Sequence, residues 1–162
     1  MNNQKGKKVV MAFGAFDGIH TGHLHYLKEA KKLGNYLVVL IGRDKAEWKF
    51  PRAYDLPENE RKKLVEMIGI ADEVILGSTN NALEKILRVK PDVIAITPYH
   101  IISGNALQRE LLEKGIHAKV KTIGVYKHSL YRLWYGIKII KSKKRKRLMG
   151  LQVYSLRSGK FR

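Results

Sequence analysis

What most narrows the fold of this chain is a set of short apolar runs without polar alternation: Val9–Phe13, Tyr36–Gly42 and Val93–Thr97. A strand with one wet face alternates apolar and polar residues. A strand covered on both faces does not, and such runs belong to parallel sheets buried under two layers of helices. Segments with helical spacing separate them. His23–Leu33 is the first, with Gly34 expected as its C-terminal cap. Glu58–Ile68 follows with acids in its first turn, then Asn81–Val89, and Asn105–Lys114 ended by Gly115. Glu73–Leu76 and Ala118–Ile123 supply two further strands. Lys45–Pro57, which holds Pro51 and Pro57, reads as a loop.

Strands alternating with helices of this length predict an α/β fold: a doubly wound, Rossmann-like parallel five-stranded sheet with helices on both faces and right-handed crossovers. Leu130–Ile140 reads as a last helix. From Lys141 a basic run, Lys141-Ser142-Lys143-Lys144-Arg145-Lys146-Arg147, opens an appendage. The expected organisation is therefore one domain over residues 1–140 and a basic C-terminal extension over 141–162.

Charge follows the same division. The net charge is +18. Residues 1–113 hold 17 of the 32 Lys/Arg and all 14 Asp/Glu, whereas residues 114–162 hold the other 15 Lys/Arg and no carboxylate. Such asymmetry points to an anionic partner, and nucleic-acid contact through the basic C-terminus is one reading beside a solvated tail or a lid that steers anionic ligands. No apolar run reaches the roughly 18 residues of a membrane span, and the polar, basic start gives no sign of a signal peptide. The expectation is a cytoplasmic protein. With no cysteine, disulfides and thiolate metal sites are excluded.

The chemistry concentrates after the first strand, in Gly14-Ala15-Phe16-Asp17-Gly18-Ile19-His20-Thr21-Gly22-His23. A strand, a tight Gly-containing loop and a helix start form an anion cradle, since free backbone N–H groups and the helix dipole face the loop. Two histidines three apart at that helix start turn toward one ligand. The pattern G-x-F-D-x-x-H-x-G-H resembles the signature of the nucleotidyltransferases related to class I aminoacyl-tRNA synthetases. The resemblance runs over residues 8–123, through Gly42-Arg43-Asp44, Pro57-Glu58-Asn59-Glu60-Arg61, Ala71–Gly77 and Lys90–Ala95. It is nearest to the cytidylyltransferase-like branch, and within it to the archaeal FAD synthase group.

That resemblance implies transfer of AMP from ATP to FMN, giving FAD and pyrophosphate; no His/Asp/Glu cluster shows metal-ligand spacing, so Mg²⁺ is expected to arrive with the triphosphate and no metal site of the protein's own is expected. It implies His20 and His23 as catalytic residues. Gly14, Ala15, Phe16, Asp17, Thr21 and Gly22 would bind the nucleotide with them, and small residues at Gly14 and Gly22 would let it pack against the loop. Asp17 either orients a histidine or closes an Asx-type turn. Lys49 and Arg61 stand where the group has a phosphate-contacting lysine and an arginine; the plainer readings are a solvated loop lysine and a helix-surface arginine. A homodimer is among the arrangements the resemblance allows. Other expected pairs are CTP with glycerol-3-phosphate and ATP with phosphopantetheine, and a different class is a non-catalytic nucleotide- or RNA-binding protein on the same fold.

The chain departs from the group at two places. After the strand Val93–Thr97 it has Thr97-Pro98-Tyr99-His100 instead of an aspartate-bearing turn, so Tyr99 or His100 would stand in at the nucleotide. Where the group has a Ser/Thr-rich phosphate site, this chain has one serine, Ser129, and Lys127, His128 or Arg132 would substitute charge for hydroxyl donors at the acceptor.

Overall fold

The computed structural model describes residues 6–45, 54–81, 83–100 and 102–126. In chain order these form β1 (Val9–Gly14), α1 (Thr21–Lys31), β2 (Tyr36–Ile41), α2 (Glu58–Met67), β3 (Glu73–Leu76), α3 (Glu84–Val89), β4 (Val93–Ile96), α4 (Gly104–Glu113) and β5 (Lys119–Thr122). The strands pair in parallel in the order β3-β2-β1-β4-β5, the five-stranded doubly wound sheet that the apolar runs predict.

Alternation along β1 shows why its residues are all apolar. Val10 and Ala12 join one core with Tyr26, Leu27 and Ala30 of α1 and Val65 of α2. Val9 and Met11 join a second core with Ile86 and Val89 of α3 and Leu107 and Leu111 of α4. Each aliphatic side chain buried in this way contributes about 2 kcal/mol, so a polar residue on either face of β1 is costly.

Aspartates stitch the amino-terminal edge of the sheet. Asp72, just before β3, donates its N–H to the Leu37 carbonyl at 2.9 Å and accepts the Leu37 N–H on Oδ2 at 2.6 Å. Asp92, just before β4, does the same to Val9 at 2.9 and 2.7 Å. Each incoming strand is thereby locked in register to a residue of its neighbour.

Helices α1 and α3 differ most from the expectation, and the other element ends fall within one residue of it. Helix α1 begins at Thr21, two residues early, because His20 caps it: its Nδ1 accepts the Gly22 N–H at 3.2 Å. Gly34 is not a left-handed cap; α1 ends at Lys32 in ordinary helical geometry. A Cβ on Gly34 would stand 2.3 Å from the Lys8 carbonyl oxygen, so the glycine serves the close return of the chain against β1. Helix α3 starts at Glu84, not Asn81, because Ser78 Oγ and Asn81 Oδ1 take up backbone N–H groups of Asn80, Asn81 and Leu83 in a turn. Gly115 does end α4 with positive φ (+70°).

The described residues belong to one compact unit that closes at Tyr126. The helix expected at Leu130–Ile140, the basic run from Lys141 and the boundary at residue 140 lie outside them.

Candidate functional site

The carboxyl ends of β1, β2 and β4 carry the loops that the sequence singles out. Chain order reverses between β1 and β4, the place where open α/β sheets leave a crevice. Beyond Phe13 the first loop turns sharply. Phe16 takes φ +52°, a left-handed conformation that costs a bulky residue about 1–2 kcal/mol and persists only where burial holds it. Its side chain is buried, folded over Gly14, where a Cβ would approach the ring to 3.0 Å. Gly14 is thus required first by Phe16.

The loop ends on the histidines. The rings of His20 and His23 stack at 3.8 Å between centroids and 25° between planes, and Phe16 lies 5.0 Å from His23. Because His20 Nδ1 accepts the Gly22 N–H, the proton of its neutral ring is on Nε2. The cap fixes the tautomer and orientation of a donor at the positive end of the α1 dipole. Thr21, at the first position of the helix, is exposed, Gly22 is buried, and Gly14 and Ala15 are half-buried.

Asp17 is buried, and its Oδ1 accepts the N–H groups of Asp55 and Leu56 at 3.0 and 3.2 Å. It therefore ties the first loop to the end of the Lys45–Pro57 segment. The other end of that segment is closed by a reciprocal pair: Asp44 N–H donates to Glu58 Oε2 at 2.7 Å, and Glu58 N–H donates to Asp44 Oδ2 at 3.0 Å. Pro57 has no side-chain acceptor, so Asp44 does the capping of α2 from a distance. Arg43 adds an ion pair to Glu58 at 2.9 Å.

Arg61 lies beneath both loops and is fully buried. Its Nε donates to the Leu56 carbonyl at 3.0 Å, Nη1 to the Ala15 carbonyl, and Nη2 to the Gly42 carbonyl and Asp44 Oδ1, both at 2.7 Å. The Tyr54 ring packs on the guanidinium 4.2 Å away. Neither a surface arginine nor a solvent-facing phosphate donor describes this geometry. Arg61 fastens the two loops to the ends of β1 and β2.

At β4 the turn Thr97–His100 closes with the His100 N–H on the Thr97 carbonyl at 3.1 Å. Tyr99 is 39% exposed. His100 points inward: Nδ1 accepts the Thr97 N–H at 2.9 Å and Nε2 donates to the Phe13 carbonyl at 2.9 Å. The Tyr26 hydroxyl, on α1, accepts the Phe13 N–H at 3.2 Å and donates to the Ala95 carbonyl at 2.7 Å. Burial pushes this phenol well above its ordinary range, partly offset by its hydrogen bond with Phe13.

The structure thus brings Gly14–His23, Arg61, Tyr99 and His100 to the carboxyl edge of the sheet. Lys49, Lys127, His128, Ser129 and Arg132 lie outside the described residues. Asp44 and Glu58 lie in runs that carry the resemblance, but their reciprocal capping is not legible there, and sequence reasoning missed Tyr26. For Tyr26 a signal existed: its position in the buried stripe with Leu27 and Ala30 places a hydroxyl where it must find partners.

Among the described residues no group of three or more His, Asp or Glu stands in metal-binding arrangement, and no helix is long and apolar enough to cross a membrane. The carboxylates nearest the loop, Asp17 and Asp44, are committed to backbone N–H groups and to Arg61. Imidazoles and helix N–H groups at a helix start suit phosphate oxygens.

The family model described as cytidylyltransferase-like matches residues 11–150. The FAD synthase of Methanohalobium evestigatum is 43% identical over 114 residues, covering 70% of this chain and 75% of that protein. The FAD synthase of Ferroglobus placidus is 42% identical over 116 residues, covering 72% and 76%. Among solved structures, a lipopolysaccharide core biosynthesis protein from Thermoplasma volcanium superposes with a TM-score of 0.69 at 37% identity, over 75% of this chain and 100% of its own. A pantothenate synthetase from Thermus thermophilus, 12% identical with a TM-score of 0.53 over 72% of this chain and 55% of its own, shares the fold.

Proposed function

The chain belongs to the cytidylyltransferase-like family and to the FAD synthase group, and on that footing we propose that it transfers AMP from ATP to the phosphate of FMN. A phosphate oxygen of FMN attacks the α-phosphorus in line, the bond to the bridging β-phosphate oxygen breaks, and pyrophosphate leaves as FAD forms. Such chemistry asks the protein for positioning and for charge stabilisation on the phosphoryl oxygens.

The observation that carries the reading is the stacked His20–His23 pair on the first turn of α1, at the switch point of the sheet. His20 and His23 are assigned as catalytic donors to the triphosphate, with Thr21, Gly22 and the α1 N-terminus completing the cradle. Gly14, Ala15 and Phe16 form the surface that the nucleotide packs on. Mg²⁺ arrives with ATP as part of the substrate. Asp17 and Arg61 hold the loops, and Tyr99 is the exposed group of the β4 turn that meets the nucleotide. Lys49, Lys127, His128 and Arg132 are assigned to phosphates of donor and acceptor by charge, and Ser129 by its hydroxyl.

The test is a matrix of donors and acceptors with the purified full chain. MgATP and FMN should give FAD and pyrophosphate in equal amounts. Turnover confined to CTP with glycerol-3-phosphate, or to ATP with phosphopantetheine, would transfer the assignment to that pair. Salt-sensitive RNA binding with no pyrophosphate release from any pair would make the chain a binding protein instead.

A further inference from the structure

The ladder between β1 and β4 ends early. It runs only through Ala12 and Ala95, whereas β1 continues beside β2 to Gly14 and Ile41, and β4 continues beside β5 to Ile96 and Thr122. The two halves of the sheet therefore part at Phe13. Parting strands leave N–H and C=O groups without a strand partner, and half-buried backbone groups must find another.

Side chains supply it here. Tyr26 takes the Phe13 N–H and gives its own proton to the Ala95 carbonyl. His100 gives its Nε2 proton to the Phe13 carbonyl and takes the Thr97 N–H on Nδ1. The Phe13 ring meets the His100 ring edge-on at 5.1 Å and 83°. The result is one hydrogen-bonded chain, Ala95–Tyr26–Phe13–His100–Thr97, across the mouth of the crevice. It joins the strand that carries the histidine loop to the strand that carries the Thr97–His100 turn. Only one imidazole tautomer satisfies both bonds of His100, so the ring is fixed in orientation as well as in place.

We propose that Tyr26 and His100 are positioning residues that set the separation of these two loops, and with it the alignment of the groups that react between them. The proposal rests on the adenylyl-transfer reading. In-line attack demands reacting atoms about 3–3.5 Å apart, and a displacement of about 1 Å costs on the order of a hundredfold in rate. A pair of side chains bracing the parting is therefore worth more to turnover than to ground-state binding. It also gives His100 a role other than touching the nucleotide.

The test uses the full chain and three variants. Tyr26→Phe removes one oxygen and leaves the ring in its core. His100→Leu removes both bonds at similar size, and His100→Gln restores a donor and an acceptor. Amide exchange at Phe13 should accelerate by about tenfold in Tyr26→Phe, as expected for a lost hydrogen bond of ordinary strength. FAD-forming kcat should fall by about tenfold or more in Tyr26→Phe and His100→Leu, with KM for ATP within about twofold, as loss of alignment without loss of binding requires. His100→Gln should recover most of the lost kcat. Unchanged kcat and unchanged exchange in both deletions would overturn the proposal. So would a rise in KM for ATP at constant kcat, which marks a nucleotide contact. If the parent forms no FAD, the adenylyl-transfer reading fails by itself, and exchange at Phe13 still decides whether this pair braces the parting.

Discussion

The two edges of the sheet solve one problem in opposite ways. At the amino-terminal edge, Asp72 and Asp92 each close a two-bond ring with the residue opposite, Leu37 and Val9, through the shortest acidic side chain available. At the carboxyl edge, backbone groups are taken by long side chains arriving from other elements: Arg61 reaches the carbonyls of Ala15, Gly42 and Leu56, and Tyr26 and His100 reach Phe13. Short stitches pull strands together. Long ones span the gap where the strands part while the backbone stays satisfied.

If the edges divide labour in this way, substitutions should separate activity from stability. The largest effect is expected at His20. His20→Asn keeps an acceptor for the helix cap but removes the imidazole. FAD formation should fall by about a hundredfold or more, while urea denaturation should show a change within about 0.5 kcal/mol because asparagine caps as well as any residue. A large stability loss with little rate loss would reverse the roles given to this edge.

Arg61→Met should break the division, because Arg61 serves the crevice from inside the core. Loss of a buried charge that satisfies three carbonyls and Asp44 should cost about 3 kcal/mol in equilibrium unfolding, and turnover should fall with it as the first loop is released. Asp92→Ala should sharpen the contrast. Leaving the Val9 N–H without its acceptor should cost about 2 kcal/mol, with kcat and KM of the folded protein unchanged.

The smallest effect concerns pH. Burial by itself would raise the Asp72 carboxyl, but the Leu37 N–H and the Lys31 ammonium outweigh it and hold it below the ordinary range. A carboxylate depressed in the folded state stabilises fully above its unfolded value, near pH 4, and loses that contribution as pH falls through the folded value. Acid titration of stability should therefore show a loss below about pH 4 that Asp72→Asn lacks. Because about a third of the Asp72 side chain is exposed, the loss should be small.

The order of strands and helices, the two-faced burial of β1 and the loop with its paired histidines were all legible in the sequence. The signals behind them are local: an apolar run, a helical period, a glycine beside a histidine. The element ends were less legible where a side chain overrode the pattern, as His20 does in capping α1 and Asn81 in delaying α3. What only the tertiary structure decided is the set of braces around the crevice. Arg61 meets Ala15 from 46 residues away, Tyr26 meets Ala95 from 69, and His100 meets Phe13 from 87. Nothing near an arginine, a tyrosine or a histidine in sequence says that a distant carbonyl will be left without a strand partner. That lack appears only once the strands part, so the sequence could name the loop proposed to hold a triphosphate but not the bracing contacts that hold the loop.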